Sequence, residues 1–350
     1  MTIPAPVVRG VRCGWHWQWR QLMEGLGPAD AEGNYVRPPG AFTAVPALPA
    51  AADLEAGHIL IVGRSCPWAH RAWLIWSLRH LEDSIDLVLA HPDPGGGLWR
   101  LSPPFQGCGT LRALYRRAGA PAGSRATVPV LVGGSAGAVI SNESARLMEL
   151  LDRWPGNDSA AAGLSSGSLQ PLDRQQELAQ WRERLQHQFN DGVYRCGFAR
   201  TQGAYDRAES ALFSTLEALE AALADGRPWI LGDALSLVDV QLFPTLIRWE
   251  LVYEPLFGCS RRPLWQFPQL WRWRQRFFGL PGVAATCSPE AWRADYFGAL
   301  FPLNPSGIVP AAPDFSTLVL AHPPAPGRHT GKAEEAMAAA PELGKEPERA

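Results

Sequence analysis

A chain of 350 residues, 46% of them hydrophobic, can bury a large core and is long enough for two domains with appendages. Its formal net charge of −2, without a clustered basic run, argues against nucleic acid or an anionic membrane as the main partner. No apolar stretch approaches the length of a membrane span, and an N-terminus carrying Pro4 and Pro6 without an apolar core segment does not read as a signal peptide.

Residues 1–55 are rich in Gly, Pro and Ala and carry Trp15, Trp17 and Trp19 at alternate positions. Alternation predicts an extended arm that lays aromatic rings on a larger body. The apolar run His58–Gly63 reads as a buried strand and Ala69–Leu81 as a helix, which puts Cys66 where a strand turns into a helix. Ile85–Ala90 is a second strand, and Thr110–Ala118 a short helix within a long Gly/Pro-rich connection. Thr127–Val132 and Ala138–Ile140 follow as strands. Pro129 is out of place in a central strand unless a cis bond there leaves the Val128 backbone to pair with an extended peptide ligand. Ser141–Ser144 opens a helix through Leu147 and Leu151, where polar residues either cap the helix or bind an anionic group.

The Ser-, Gly- and Ala-rich stretch from Arg153 to Pro171 reads as an interdomain linker, after which the pattern is helical. Leu212, Leu216, Leu219 and Leu223 form one apolar face, ended by Asp225-Gly226. Ser236 and Asp239 have capping-box spacing before the run Val240–Trp249, which makes Asp239 a structural carboxylate. Leu270–Phe278 is a further helix, and beyond Phe315 the composition predicts a disordered tail. The expected organisation is therefore an extension (1–55), an α/β domain (56–153), a linker (154–171), an all-helical domain (172–315) and a tail (316–350).

Pro67 suits a first helical turn, and a sulfur just before it faces unpaired N–H groups and the positive end of the helix dipole, which favour thiolate. No second Cys follows three residues on, so Cys66 is a candidate monothiol nucleophile that exchanges with an external thiol. Cys13, Cys108, Cys196, Cys259 and Cys287 are scattered singly and read as incidental, consistent with a reducing, cytoplasmic compartment. His70 lacks companions at metal-ligand spacing, so no metal is expected, and it reads as a surface residue or one packed behind the site.

An α/β half carrying Cys66-Pro67-Trp68-Ala69-His70-Arg71, Val128-Pro129 and Glu143-Ser144, followed by a helical half with a capping box, resembles a cytosolic glutathione transferase. Such a fold is a thioredoxin-like domain followed by an all-α bundle. The blocks Asn190-Asp191-Gly192-Val193-Tyr194, Thr201-Gln202-Gly203-Ala204-Tyr205, Leu242–Arg248, Asp295-Tyr296 and Asn304–Pro310 extend the resemblance to the Xi class, the glutathionyl-hydroquinone reductases, over residues 58–313. The resemblance implies Cys66 as nucleophile and glutathione as co-substrate. It implies that Trp99, Arg125, Val128 with Pro129, Glu143 and Ser144 bind glutathione. It also implies a quinol pocket lined by Tyr205, Tyr253 and Tyr296, and a homodimer.

The chemistry implied is thiolate attack on the sulfur of a glutathionyl-hydroquinone. The products are a Cys66–glutathione mixed disulfide and free hydroquinone, and a second glutathione then restores the thiolate. Two other classes stay open: an omega-like thiol transferase or dehydroascorbate reductase using the same Cys66, and a non-catalytic binding module on the same fold.

Overall fold

The computed structural model describes residues 3–44, 48, 54, 57–93, 97–133, 137–155 and 167–320. Its first element is a helix, α1 (Ala5–Leu26), where the alternating tryptophans had predicted an extended arm. The alternation spans only five residues, whereas Val7, Val11, Trp15, Trp19 and Met23 recur every four, and that longer pattern wins. The first turns of α1 are exposed on all sides, and its C-terminal part anchors it, through Trp19 under the Arg200 guanidinium, buried Met23 and an Arg200 to Gly27 carbonyl bond of 2.6 Å. Residues 27–44 then run without helix or named strand over both halves of the molecule. Tyr35 packs edge-on against Phe198, and Phe42 exchanges two hydrogen bonds with Asn142, its N–H to Asn142 Oδ1 at 2.9 Å and its carbonyl from Asn142 N–H at 3.0 Å.

The α/β half is built on β1 (His58–Gly63), whose Leu60, Ile61 and Val62 are fully buried, as a strand covered on both faces requires. The helix α2 (Pro67–Leu78) follows, then β2 (Ile85–Asp93), β3 (Leu98–Phe105), β4 (Cys108–Thr110) and α3 (Leu111–Arg117). The half closes with β5 (Val130–Gly133), β6 (Ala138–Ser141) and α4 (Ser144–Asp152). The strand order is β4-β3-β2-β1-β5-β6, with β1 and β2 parallel and the other pairs antiparallel. The predicted connection after Ala90 is thus largely a hairpin: β2 runs on to Asp93, and Ala90–Asp93 pair with Leu101–Leu98. Pro103 and Pro104 hide it in the sequence, and they fall where the β3–β4 register shifts, a place a strand tolerates them. Thr110, predicted as helical, is instead the N-cap of α3, its side chain accepting from Ala113 N–H.

All residues of α2 except Trp76 are buried. A helix apolar on every side needs cover on every side, and α2 packs against β1, α4 and the helical half. That second half comprises α5 (Gln175–Arg184), α6 (Asp191–Gly197), α7 (Gln202–Ala222), α8 (Leu237–Leu246), α9 (Glu254–Phe257), α10 (Pro268–Phe278), α11 (Pro289–Ala299) and α12 (Phe315–Leu320). Widened, π-type turns at Leu185–Asn190 and Trp249–Tyr253 lead into α6 and α9. Leu212, Leu216 and Leu219 form the fully buried face of α7.

The capping box of α8 is complete, and Asp239 also accepts from Ile230 N–H (3.0 Å) and Trp273 Nε1 (2.9 Å), a structural carboxylate as expected. The predicted tail begins too early. Residues 315–320 form α12, whose Leu318 and Val319 are buried and whose Leu318 carbonyl accepts from Arg274 at 2.9 Å. The rest of that tail and 156–166 of the predicted linker lie outside the described residues. Residues 168–170 close onto Asp152, which accepts from Ser168, Leu169 and Gln170 and pairs with buried Arg79.

Candidate active site

Cys66 is the N-cap of α2 and Pro67 its first residue, so the sulfur stands at the unpaired N–H groups of the first turn. Its Sγ lies 3.5 Å from the carbonyl oxygen of Val128, and the Val128–Pro129 bond is cis. The dipole argument is only part of the electrostatics. Burial pushes the Cys66 thiol up and outweighs the N–H groups of Ala69 and Trp68 and the charges of Arg37 and Arg248 that pull it down, so in the free protein the net shift is upward, against the thiolate expected from the helix start alone.

The sulfur opens on a cleft of about 1180 Å³ between the two halves. On the α/β side it is lined by Trp99, Arg125, Val128, Pro129, Glu143 and Ser144, so every glutathione-binding candidate from the sequence borders one cavity with Cys66. Trp99 is held close to β1: a Cβ at Gly63 would meet its ring at 2.4 Å. At α4 the capping reading holds, Glu143 being the N-cap with its carboxylate accepting from Ala145 N–H, yet Glu143 and Ser144 still face the cleft.

The helical half contributes phenols. The hydroxyls of Tyr194 and Tyr296 meet at 2.5 Å, and Tyr253, fully buried behind them, reaches Tyr296 at 3.3 Å. Burial pushes the phenols of Tyr194 and Tyr296 well above their ordinary value, so both stay protonated at neutral pH.

Residues 65–154 match the family of the glutathione S-transferase N-terminal domain and residues 202–276 that of the C-terminal domain. The glutathionyl-hydroquinone reductase PcpF of Sphingobium chlorophenolicum is 33% identical over 261 residues, covering 73% of this chain and 82% of PcpF. The chain belongs to the Xi class of glutathione transferases. The Xi transferase of Phanerochaete chrysosporium superposes with a TM-score of 0.75 at 28% identity, covering 81% of this chain and 94% of that one. The glutathione-bound YqjG of Escherichia coli K-12 gives 0.65 at 29% identity, with 74% and 86% covered.

In this Xi-class chain two of the three tyrosines expected to line the quinol pocket do not: Tyr253 is fully buried behind Tyr296, and Tyr205 lies apart. Tyr205 donates to the Gly258 carbonyl at 2.6 Å and does not border the cleft, and Tyr194 stands in its place. The sequence carried a signal for Tyr194: it lies three residues after Asp191, on the same face of α6, and both line the cavity. Arg37, missed because the arm was read as mere cover, also lines it.

His70 is not a surface residue; it is 1% exposed beneath Cys66. Arg248 can only donate, so His70 Nδ1 accepts from it at 2.9 Å, and Nε2 donates to Thr286 Oγ1 at 2.8 Å. Thr286 passes its own proton to the Val283 carbonyl. Burial first, then the Arg248 charge, push the imidazole well below its ordinary value, so it is neutral. Arg248 also donates to the Arg64 carbonyl, shared with Trp292 Nε1, which pins the turn that presents Cys66.

Proposed function

We propose that the chain removes glutathione from glutathionyl-hydroquinones by thiol exchange at Cys66. The observation that carries this reading is a thiol at a helix N-terminus, open to a cleft bordered opposite by the phenols of Tyr194 and Tyr296. A hydroxyl at position 66 could activate glutathione for conjugation but could not form a mixed disulfide. A thiolate can.

In the first half-reaction the Cys66 thiolate attacks the glutathione sulfur, the carbon–sulfur bond breaks, and its electron pair stays on the ring carbon. That carbon takes a proton, giving hydroquinone and Cys66–S–S–glutathione. A second glutathione thiolate then attacks the glutathione sulfur of the mixed disulfide, forming oxidised glutathione and returning the electron pair to Cys66. Neutral phenols suit the first step: Tyr296, tied to Tyr194, can donate to a quinol oxygen and feed the proton the ring carbon needs. Glu143 and Ser144 would hold the γ-glutamyl end, and the Val128 backbone and Trp99 would flank the peptide; that all four border the cleft supports this reading. The family resemblance adds a homodimer, and dependence on reduced glutathione fits the cytoplasm.

The test is to supply a glutathionyl-hydroquinone with glutathione and follow loss of the adduct. Wild type is expected to turn over, and Cys66→Ala and Cys66→Ser are expected to fail. Mass spectrometry of wild type without added glutathione should find one glutathionyl group on Cys66. No turnover by wild type sinks the reading. Turnover of dehydroascorbate in its place points to an omega-like transferase, and retention on immobilised glutathione without any turnover points to a binding module.

A further inference from the structure

The charges that face Cys66 come from three elements. Its own helix supplies two N–H groups, the helical half supplies Arg248, and the N-terminal arm supplies Arg37. Arg248 is fully buried and bound to His70, the Pro244 carbonyl and the Arg64 carbonyl, so it is committed to the protein. Arg71, equally buried, donates to Gln186 at 3.0 Å. Arg37 differs. Its side chain is 39% exposed, it lines the cleft, and its guanidinium lies 3.7 Å from the centre of the Trp68 ring, two residues from the sulfur.

The arm does not hold Arg37 loosely. Tyr35 is wedged against Phe198 on one side of it, and Phe42 is tied to Asn142 on the other. Asp191, from the helical half, pairs with the guanidinium at 3.3 Å, and Gln186 steadies that carboxylate at 3.1 Å. Arg37 therefore bridges the cleft from Trp68 to Asp191, in a segment outside both family matches.

We propose that Arg37 is a positioning residue of the reaction, a cation delivered by the N-terminal arm that balances the sulfur anion which attacks from Cys66 in the first half-reaction and departs in the second. This rests on the thiol-exchange reading above. The other groups around the sulfur do not supply that positive charge: Tyr194 and Tyr253 are neutral phenols, His70 is a neutral imidazole behind the helix, Glu143 and Asp295 are carboxyl groups on the cleft walls, and Arg125, Arg195 and Arg207 line the same cleft without ranking with Arg37 and Arg248 among the charges that act on Cys66. Among the charges acting on Cys66, Arg37 precedes Arg248 in size.

The test is the pH profile of Cys66 alkylation by iodoacetamide in the full-length protein, read at Cys66 by mass spectrometry because Cys13 is also exposed. Arg37→Met should move the midpoint up by about half to one pH unit, slowing alkylation at pH 7 roughly three- to tenfold. Arg37→Lys should keep most of the wild-type profile. Asp191→Asn, which removes the competing carboxylate and leaves the arm in place, should move the midpoint down, and this arm of the test stands even if Arg37→Met fails to fold. A folded Arg37→Met whose profile superimposes on wild type overturns the proposal. So does an Asp191→Asn midpoint that stays or rises, or an Arg37→Lys no better than Arg37→Met. Alkylation needs no quinol, so a shifted midpoint in a protein that turns over no glutathionyl-hydroquinone would refute the reductase reading and leave the role of Arg37 standing.

Discussion

The hydroxyls of Tyr194 and Tyr296 lie 2.5 Å apart, one on α6 and the other on α11, and Tyr253 adds a second link at 3.3 Å. Tyr296 is the shared member. Tyr296→Phe should break both links and lower kcat with a glutathionyl-hydroquinone by about 10²-fold, the usual loss when a positioned proton donor is removed. Cys66 alkylation should persist in this variant. An unchanged kcat would show that the ring carbon takes its proton elsewhere.

The same phenols give a pH signature. Their folded values are raised above the ordinary value of 10.0, so the native state keeps protons that the unfolded chain gives up. The stabilisation is fully present below about pH 10 and is lost as pH rises beyond it. Urea midpoints measured at pH 8 and pH 10.5 should fall more for wild type than for a Tyr194→Phe/Tyr296→Phe double variant.

Gly63 lies under Trp99, and an added Cβ there would meet the indole at 2.4 Å and a Val128 methyl at 3.1 Å. Both neighbours flank the proposed peptide path. Gly63→Ala should displace them and cut kcat/KM for glutathione by roughly ten- to a hundredfold. Steady-state kinetics at varied glutathione checks this; an unchanged kcat/KM would remove Trp99 and Val128 from the binding surface.

Asp239 should matter for folding and not for chemistry. It is fully buried and joins Ile230, Ser236 and Trp273, so Asp239→Ala should cost on the order of 3 kcal/mol or more by leaving those donors unpaired. Ser236→Ala should cost about 1 kcal/mol. Denaturant titration reads both, and kcat per folded molecule should stay near wild type.

The exposed start of α1 makes a separable claim about the arm. Deleting residues 1–18 removes only exposed side chains among those described, and should shift stability by no more than about 0.5 kcal/mol and leave turnover intact. Deleting through residue 44 also removes Tyr35, Arg37 and Phe42, and activity should fall sharply. Equal behaviour of the two deletions would deny the arm its part in the cleft.

How much of this was legible beforehand differs by element. β1, α2 and the position of Cys66 between them could be read because a short apolar run, a Pro at a first helical turn and a helical apolar pattern are local signals. The capping box of α8 was legible for the same reason. The β2–β3 hairpin was not: its pairing joins Ala90–Asp93 to Leu98–Leu101 across glycines and leads into prolines, residues that locally argue against a strand. Naming Tyr205 and not Tyr194 as a pocket phenol is a longer-range failure. Both lie in the first turn or so of a helix, Tyr205 four residues after the Thr201 cap and Tyr194 three after Asp191, and only the packing of the helical half decides which phenol meets Tyr296. Arg37 was invisible because nothing local says where an irregular arm will cross.

One turn below the nucleophile sits an imidazole that the surrounding bonds have already assigned. His70 takes a hydrogen from Arg248 on Nδ1 and gives one to Thr286 from Nε2, so neither nitrogen has a free lone pair with which to pull a proton from an incoming water. A thiol and a histidine four residues apart would ordinarily invite comparison with the dyad of a peptidase or esterase. Here the fold has closed that route: an acyl group placed on Cys66 could not be hydrolysed with this imidazole as the base, whose two nitrogens are already committed to Arg248 and Thr286.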